Sequence, residues 1–167
     1  MNRVYYIFLV LIFAITACRG DGTEGAQKID QQIKFYIRNS AGKDLLNSKD
    51  STAYQSVEIY DLGGVRDQIS ISSFSKKYDK DSINYLEYFA GATRNLSDSI
   101  NPNQKRYRSD ILLRMNTKNI SLPDLDTLTI FYNWSPELFQ VSHINANGRT
   151  IFQKVTGQES KVIIVKP

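Results

Sequence analysis

The chain has 167 residues, of which 41% are hydrophobic, and a formal charge of +4 at pH 7. This length accommodates one compact domain, or at most a small pair, and excludes a large multidomain enzyme. No apolar segment reaches the roughly 20 residues that a bilayer-spanning helix needs, which excludes a polytopic membrane protein. The 21 basic residues are scattered and nearly balanced by 17 acidic ones, so composition alone indicates no strongly charged partner.

The N-terminus has the pattern of a signal peptide. Arg3 supplies a short positive start, and residues 4–15 (VYYIFLVLIFAI) then form an uncharged, largely apolar core. This core is too short to serve as a permanent membrane span, but its length is typical of a signal-peptide core. The sequence therefore predicts that residues 1–17 are a signal peptide, which the mature protein lacks.

The segment after this core, Ile15-Thr16-Ala17-Cys18, resembles the lipobox of bacterial lipoprotein precursors. In this motif Ile15 takes the place of the common Leu, and Thr16 that of Ser or Ala. The resemblance implies cleavage between Ala17 and Cys18, a diacylated thioether at Cys18 and acylation of the new amino group. Two or three acyl chains make membrane attachment effectively lasting. The expected location is the cell envelope, at the outer membrane, on its periplasmic or its surface side.

Cys18 is the only cysteine in the chain, so the protein has no intrachain disulfide and no cysteine-based metal site. The residues after it, 19–30 (RGDGTEGAQKID), contain three glycines and almost no apolar side chains. This composition is typical of a flexible tether. We therefore expect the lipidated cysteine and a tether over residues 18–31, followed by a folded domain over residues 32–167.

Apolar residues in this domain recur with a period of two, which predicts β-strands. Ile33, Phe35 and Ile37 fall on one face of a first strand. The same alternation returns over residues 57–60 and 69–71, which indicates further antiparallel strands.

Two consecutive segments in the middle of the chain are harder to interpret. The apolar spacing of Ile83–Ala90 fits either a helix or a strand, and its aromatic residues favour the strand. Gly91–Gln104 is polar and rich in turn-forming residues, which predicts an exposed loop and a candidate contact surface.

The C-terminal part predicts more strands. Residues 107–115 and 127–134 alternate, and Asn147-Gly148 is the pair that a type I′ hairpin turn prefers. Residues 162–165 (VIIV) are apolar on both faces, which predicts a strand that is covered on both sides or lies centrally. The expected fold is all-β, an antiparallel β-sandwich of about eight or nine short strands, Ig-like in general architecture.

Three turn segments of the mature chain, Gly42–Leu46, Asp124–Thr127 and Asn147-Gly148, also resemble those of small uncharacterised lipoproteins of Bacteroidota. This resemblance supports the envelope location and implies no catalytic activity.

Chemistry-bearing residues are sparse. His143 is the only histidine, which excludes a zinc site with two imidazoles and leaves one candidate for a Ser-His-Asp triad. Its parity with Phe139 and Val141 predicts a packed position or one at the rim of the fold. No G-x-S-x-G elbow accompanies it. We expect no cofactor, no metal and no enzymatic activity.

Two carboxylate pairs keep an enzymatic alternative open. Asp79 with Asp81, and Asp124 with Asp126, have the spacing that places both groups on one face of an extended segment. Paired carboxylates hydrolyse glycosidic bonds. Both pairs lie in turn-like sequence, where Asp ordinarily accepts hydrogen bonds from local backbone amides, so turn formation is the favoured interpretation. The alternative is a small, glycan-directed hydrolase.

Three residues are candidates for ligand contact. Arg106 and Arg108 belong to the basic cluster Lys105–Arg108, and alternation places both on an outer strand face. An exported protein meets little nucleic acid, so we expect a solvated strand edge there and no nucleic-acid partner. Trp134 could stack on a sugar ring, although its parity with Leu128 and Ile130 favours a core position.

The favoured function is a noncatalytic binding or structural module, attached to the membrane through its N-terminal lipid and facing a protein or glycan partner. An inhibitor or chaperone that binds through an edge strand is a variant of this function. Carboxylates clustered in a concave pocket would favour the hydrolase instead.

Overall fold

The computed structural model describes residues 25–66, 68–118 and 122–167. The predicted signal peptide, Cys18 and the first part of the predicted tether lie outside these residues. Within the three described ranges, no helix has the length and apolar character needed to cross a bilayer.

The described part of the chain contains twelve strands. In order they are β1 Lys28–Asp30, β2 Ile33–Asn39, β3 Tyr54–Asp61, β4 Ile69–Ser70, β5 Phe74–Tyr78, β6 Asn84–Tyr88, β7 Asn95–Asn101, β8 Gln104–Thr117, β9 Asp124–Trp134, β10 Leu138–Ala146, β11 Arg149–Gln153 and β12 Ser160–Lys166.

The strands form two sheets. Sheet A has the order β1-β10-β9-β8-β3-β4, with β11 also paired to β10 and β7 also paired to β8. Sheet B has the order β12-β2-β6-β5. The predicted all-β sandwich is confirmed, with more strands than expected and with two parallel pairings, β1 with β10 and β12 with β2. The Ig-like comparison stays a prediction.

The core lies between the sheets, where the inward side chains of both meet. Ile33, Phe35 and Ile37 of β2 have no exposed surface, as their alternation predicts. Sheet A contributes fully buried side chains from its three long central strands: Ile111, Leu113, Met115, Leu128, Ile130, Tyr132, Val141 and Ile144. Full burial of one such aliphatic side chain contributes about 1.5–3 kcal/mol, so these strands hold the sandwich together.

The two ambiguous central segments both contain strands. Ile83–Ala90 includes β6, so the predicted strand is confirmed. The loop predicted over Gly91–Gln104 is wrong, because β7 lies within it and pairs antiparallel with β8. All seven residues of β7 are exposed, so this strand has no buried face to produce an apolar alternation.

The predicted tether ends earlier than residue 31. Residues 28–30 form β1 on the edge of sheet A, where the Lys28 N–H donates to the Glu137 carbonyl at 2.9 Å. The ammonium of Lys154 lies 2.8 Å from the Asp30 carboxylate and fixes the other end of this short strand. Backbone pairing and one ion pair order these residues, and neither leaves a pattern in the local sequence.

Two C-terminal predictions have opposite outcomes. Asn147 and Gly148 have φ values of +48° and +81°, so the predicted turn with two left-handed residues is confirmed. β12 is neither central nor covered on both sides, because it lies at the end of sheet B and pairs with β2. Ile163 and Val165 are therefore 48% and 63% exposed.

Candidate functional site

Strand topology brings several strand termini together at one end of sheet A, which we call the Trp134 end. Strand β9 ends at Trp134, and β8 and β10 begin beside it at Gln104 and Leu138. A cavity of about 290 Å³ opens there. Its lining combines an aromatic ring with cationic, amide and aliphatic side chains, among them Trp134, Lys105, Arg106, Asn133, Gln140 and Ile100.

Trp134 lies at the boundary between core and solvent. It is half-buried and packs against the core cluster, and it also lines the cavity. Lys105 is its direct partner on β8, and the Lys105 ammonium lies 4.9 Å from the centre of an indole ring. A cation at this distance is attracted by the negative face of the ring, by about 0.5–1 kcal/mol at an exposed site. One part of the Trp134 side chain thus packs against the core, and another part faces the cavity.

The two candidate arginines separate in the structure. Both are exposed on β8, opposite Asn133 and Phe131 of β9 respectively. Arg106 lines the cavity with Trp134 and has the Asp98 carboxylate 3.7 Å away. Arg108 is 3.0 Å from Asp110 and is not among the cavity-lining residues. The structure therefore brings Trp134 and Arg106 together and leaves Arg108 apart.

His143 does not share a face with Val141, which corrects the parity expected from the sequence. A β-bulge interrupts the pairing between these two residues, and His143 lies opposite Phe131 on the outer face. The two rings stack with centroids 4.1 Å apart. Burial, followed by the positive charge of Arg106, lowers the pKa of His143 below its ordinary value. His143 is therefore half-buried in the middle of β10, on the outer surface of sheet A.

Asp79 has the turn-forming role that its local sequence predicts. Its carboxylate accepts hydrogen bonds from the backbone N–H groups of Ile83 and Asp81, both at 3.0 Å, and from the Tyr36 hydroxyl. The bond from Ile83 contributes most to lowering the pKa of Asp79. Asp81 donates its backbone N–H to Asp79, so the pair forms a closed local turn.

Asp124 and Asp126 do not form a turn, which corrects the favoured interpretation of this pair. Both lie at the start of β9, and the Lys166 ammonium is 2.9 Å from Asp124 and 2.6 Å from Asp126. Burial raises the pKa of Asp124, but the hydrogen bonds from Tyr54 and Lys166 outweigh it, so the net pKa lies below its usual range. This cluster joins the last strand of sheet B to sheet A.

A second cavity, of about 390 Å³, lies beside Asp126 and is also lined by Asn147 and Arg149. The Asp126 side chain is 6% exposed and already paired with Lys166. Within the described ranges, no three His, Cys, Asp or Glu side chains converge in a way that could hold a metal ion.

Sequence reasoning missed most of the cavity lining around Trp134. Lys105 belongs to the basic cluster that the sequence displays, and alternation from Arg106 would have placed it on the inner face with Trp134. Asn133 and Gln140 lie opposite each other on β9 and β10, a pairing that depends on the register between two strands. No local pattern indicates such a register.

Comparison of this chain with protein-family models, with curated proteins and with solved structures finds no match.

Proposed function

We propose that this protein is a cell-envelope lipoprotein, anchored through acylated Cys18, whose β-sandwich is a noncatalytic binding module. The N-terminal sequence supports the anchor, because a short apolar core precedes Ala17-Cys18 and the chain has no second cysteine. On this proposal, the Trp134 end is the contact surface for a partner in the envelope.

The observation that carries the binding role is the side-chain composition of the cavity at the Trp134 end. An indole ring, two cations and three amide side chains meet there on the ends of rigid strands. Aromatic surface with a few convergent polar groups is the usual lining of a ligand site. Such groups bind and orient a ligand through stacking and hydrogen bonds, and none of them has to exchange a proton for this.

The glycan-directed hydrolase has one observation in its favour, the cavity beside Asp126. A glycosidase needs one carboxyl group that holds a proton and donates it to the leaving oxygen. Asp124 is held ionised, and Lys166 lies between the two carboxylates. This charge arrangement favours a structural role for the pair and supports the noncatalytic module.

Replacement of Cys18 by Ser in the native cell tests the anchor, because it removes the thiol that would be acylated. We expect the wild-type protein to enter the detergent phase of a Triton X-114 extraction and to give a mature N-terminus at Cys18 with added acyl mass. The Cys18→Ser variant should lose both properties. Thr16→Ser is the matched control, since Ser is common at that lipobox position, and it should behave as wild type. An intact Met1, or an unmodified thiol on freely soluble wild-type protein, would contradict the proposal.

A further inference from the structure

We propose that the Trp134 end is a membrane-docking face, which lies on the anionic lipid headgroups of the bilayer that holds the anchor. This inference rests on the proposed lipid anchor and names the partner of the cavity at the Trp134 end. It follows from where the N-terminal segment joins the domain, how far that segment can reach, and which side chains surround the point of entry.

The chain enters the domain at the Trp134 end. β1 runs parallel to β10 and pairs Lys28 with Leu138, so the residues before β1 extend past the start of β10. Gln27 confirms this direction, because its side-chain amide donates to the Ser135 carbonyl at 2.5 Å. Ser135 directly follows Trp134, so the last residues of the tether lie beside the cavity.

The tether is short compared with the folded domain. Nine residue steps separate Cys18 from Gln27, which span at most about 32 Å however the chain runs. The ten residue steps of β9 extend about 34 Å from the Trp134 end to the opposite end of sheet A. A bilayer that contains the acyl chains of Cys18 is therefore always within reach of the Trp134 end. The opposite end can face that bilayer only if the tether is stretched along almost the whole length of the domain, which costs it most of its conformational freedom.

The side chains at this end suit a headgroup layer. Trp134 is a residue type that concentrates at membrane interfaces. Ile100, next to the β7–β8 turn, is 53% exposed, and Leu138 is partly exposed. These residues provide an apolar surface that can enter the outer part of a bilayer.

Among the described residues, four cations lie around this apolar surface and outnumber the carboxylates there. Lys28, Lys105 and Arg106 lie on the ends of their strands, and the Arg94 guanidinium is 4.9 Å from the ring centre of Phe139, the second residue of β10. Two carboxylates, Asp98 and Glu137, lie among them. Each cation near an anionic bilayer surface contributes about 1 kcal/mol of attraction. The excess of positive charge therefore favours anionic headgroups over neutral ones.

Trp134 also provides the measurement, because it is the only tryptophan in the chain. The mature lipidated protein, which begins at Cys18, is reconstituted into vesicles of phosphatidylcholine with or without phosphatidylglycerol. Fluorescence of Trp134 is then quenched either by a nitroxide attached to the lipid headgroups or by acrylamide in the water. With phosphatidylglycerol present, we expect strong quenching by the headgroup nitroxide and protection from acrylamide. Without it, both effects should weaken.

A pair of matched charge reversals tests the docking face. Lys28→Glu with Arg106→Glu changes two exposed cations at the Trp134 end and leaves Lys105, which touches the indole ring, in place. Reversal should lower the ratio of docked to undocked protein by about 30-fold or more, since loss of two cations alone removes about 2 kcal/mol. Lys49→Glu with Lys118→Glu makes the same charge change on exposed residues at the opposite end, and should leave the quenching unchanged.

The outcomes separate docking from anchoring. Vesicle-bound wild-type protein whose Trp134 is quenched by acrylamide but not by the headgroup nitroxide would overturn docking and leave the anchor standing. Docking would also be overturned if a soluble glycan protected Trp134 from acrylamide and phosphatidylglycerol did not. It would be overturned as well if Lys49→Glu with Lys118→Glu reduced the headgroup quenching of Trp134 as strongly as Lys28→Glu with Arg106→Glu does. Protein that stays in the aqueous phase with a free thiol at Cys18 would overturn both proposals.

Discussion

At the scale of single residues, a bulge decides the surroundings of His143. Its ring stacks on Phe131 at the outer face of sheet A, and Arg106 adds a positive charge nearby. Both burial and this charge disfavour the protonated ring, so the pKa of His143 lies below its ordinary 6.5. The contribution of His143 to stability is therefore present above about pH 6.5 and is lost as the pH falls through the lowered folded-state value.

Because His143 is the only histidine, its titration can be followed directly by NMR of the ring protons. We expect a midpoint below 6.5, and a rise toward 6.5 in Arg106→Gln, which removes the neighbouring charge. Arg114→Gln, on the same strand near its other end, is the control and should not shift the midpoint. A wild-type midpoint at or above 6.5 would contradict the stacked, half-buried position.

At the scale of elements, β1 shows how a polar segment becomes ordered. Its three residues pair with β10, and Asp30 is held by Lys154, whose side chain is only 4% exposed. Lys154 also donates to the Ser160 hydroxyl at 3.1 Å, so one ammonium connects β1 to the start of β12. The position of β1 at the edge of sheet A therefore depends on a side chain that is more than 100 residues away in the sequence.

Lys154→Met should release β1 while leaving the centre of sheet A intact, because it removes the ion pair and keeps the aliphatic stem. We expect the backbone amide of Lys28 to exchange with deuterium about tenfold faster, which corresponds to about 1.4 kcal/mol of lost local stability. The amides of β8 and β9 should exchange as in the wild type. Lys43→Met removes an exposed ion pair with Asp50 and serves as the control, with no change at Lys28. Unchanged exchange at Lys28 in Lys154→Met would show that backbone pairing alone holds β1.

At the scale of the whole molecule, the last strand connects the two sheets. The last strand, β12, pairs in parallel with β2, the first strand of sheet B. Its last residue, Lys166, reaches across to two carboxylates of β9 in sheet A. The side chains of Lys166 and Asp126 are 10% and 6% exposed, so this contact between the sheets is largely removed from water.

Lys166→Met should destabilise the protein by about 3 kcal/mol, because it leaves a buried Asp126 carboxylate without its charged partner. Urea unfolding of the purified domain measures the change. Lys161→Met is the control on the same strand. Lys161 is 59% exposed and forms a long ion pair of 3.8 Å with Glu159, so its replacement should lower the free energy of unfolding by less than about 0.5 kcal/mol. A loss below about 1 kcal/mol for Lys166→Met would indicate that Asp126 becomes solvated at little cost.

The sequence by itself determined the fold class and the strands that have one buried face. The alternation of Ile33, Phe35 and Ile37 predicts β2, and Asn147-Gly148 predicts its turn, because the information for both lies within a few neighbouring residues. It also predicts the lipid anchor at Cys18, which lies outside the described residues and stays a prediction. Strands without a buried face, such as β7, give no such periodic signal.

Only the tertiary structure decided which distant residues meet. Trp134 and Arg106 share a cavity while Arg108 does not, because the cavity forms where several strand ends meet and Arg108 lies two residues further along β8. The bulge in β10 places His143 on the outer face. Asp124 and Asp126, which were expected in a turn, pair instead with Lys166, and the Asp126 side of this contact is largely buried. Strand register, bulges and ion pairs between distant strands are set by the packing of the whole chain, so no local pattern of residue types specifies them.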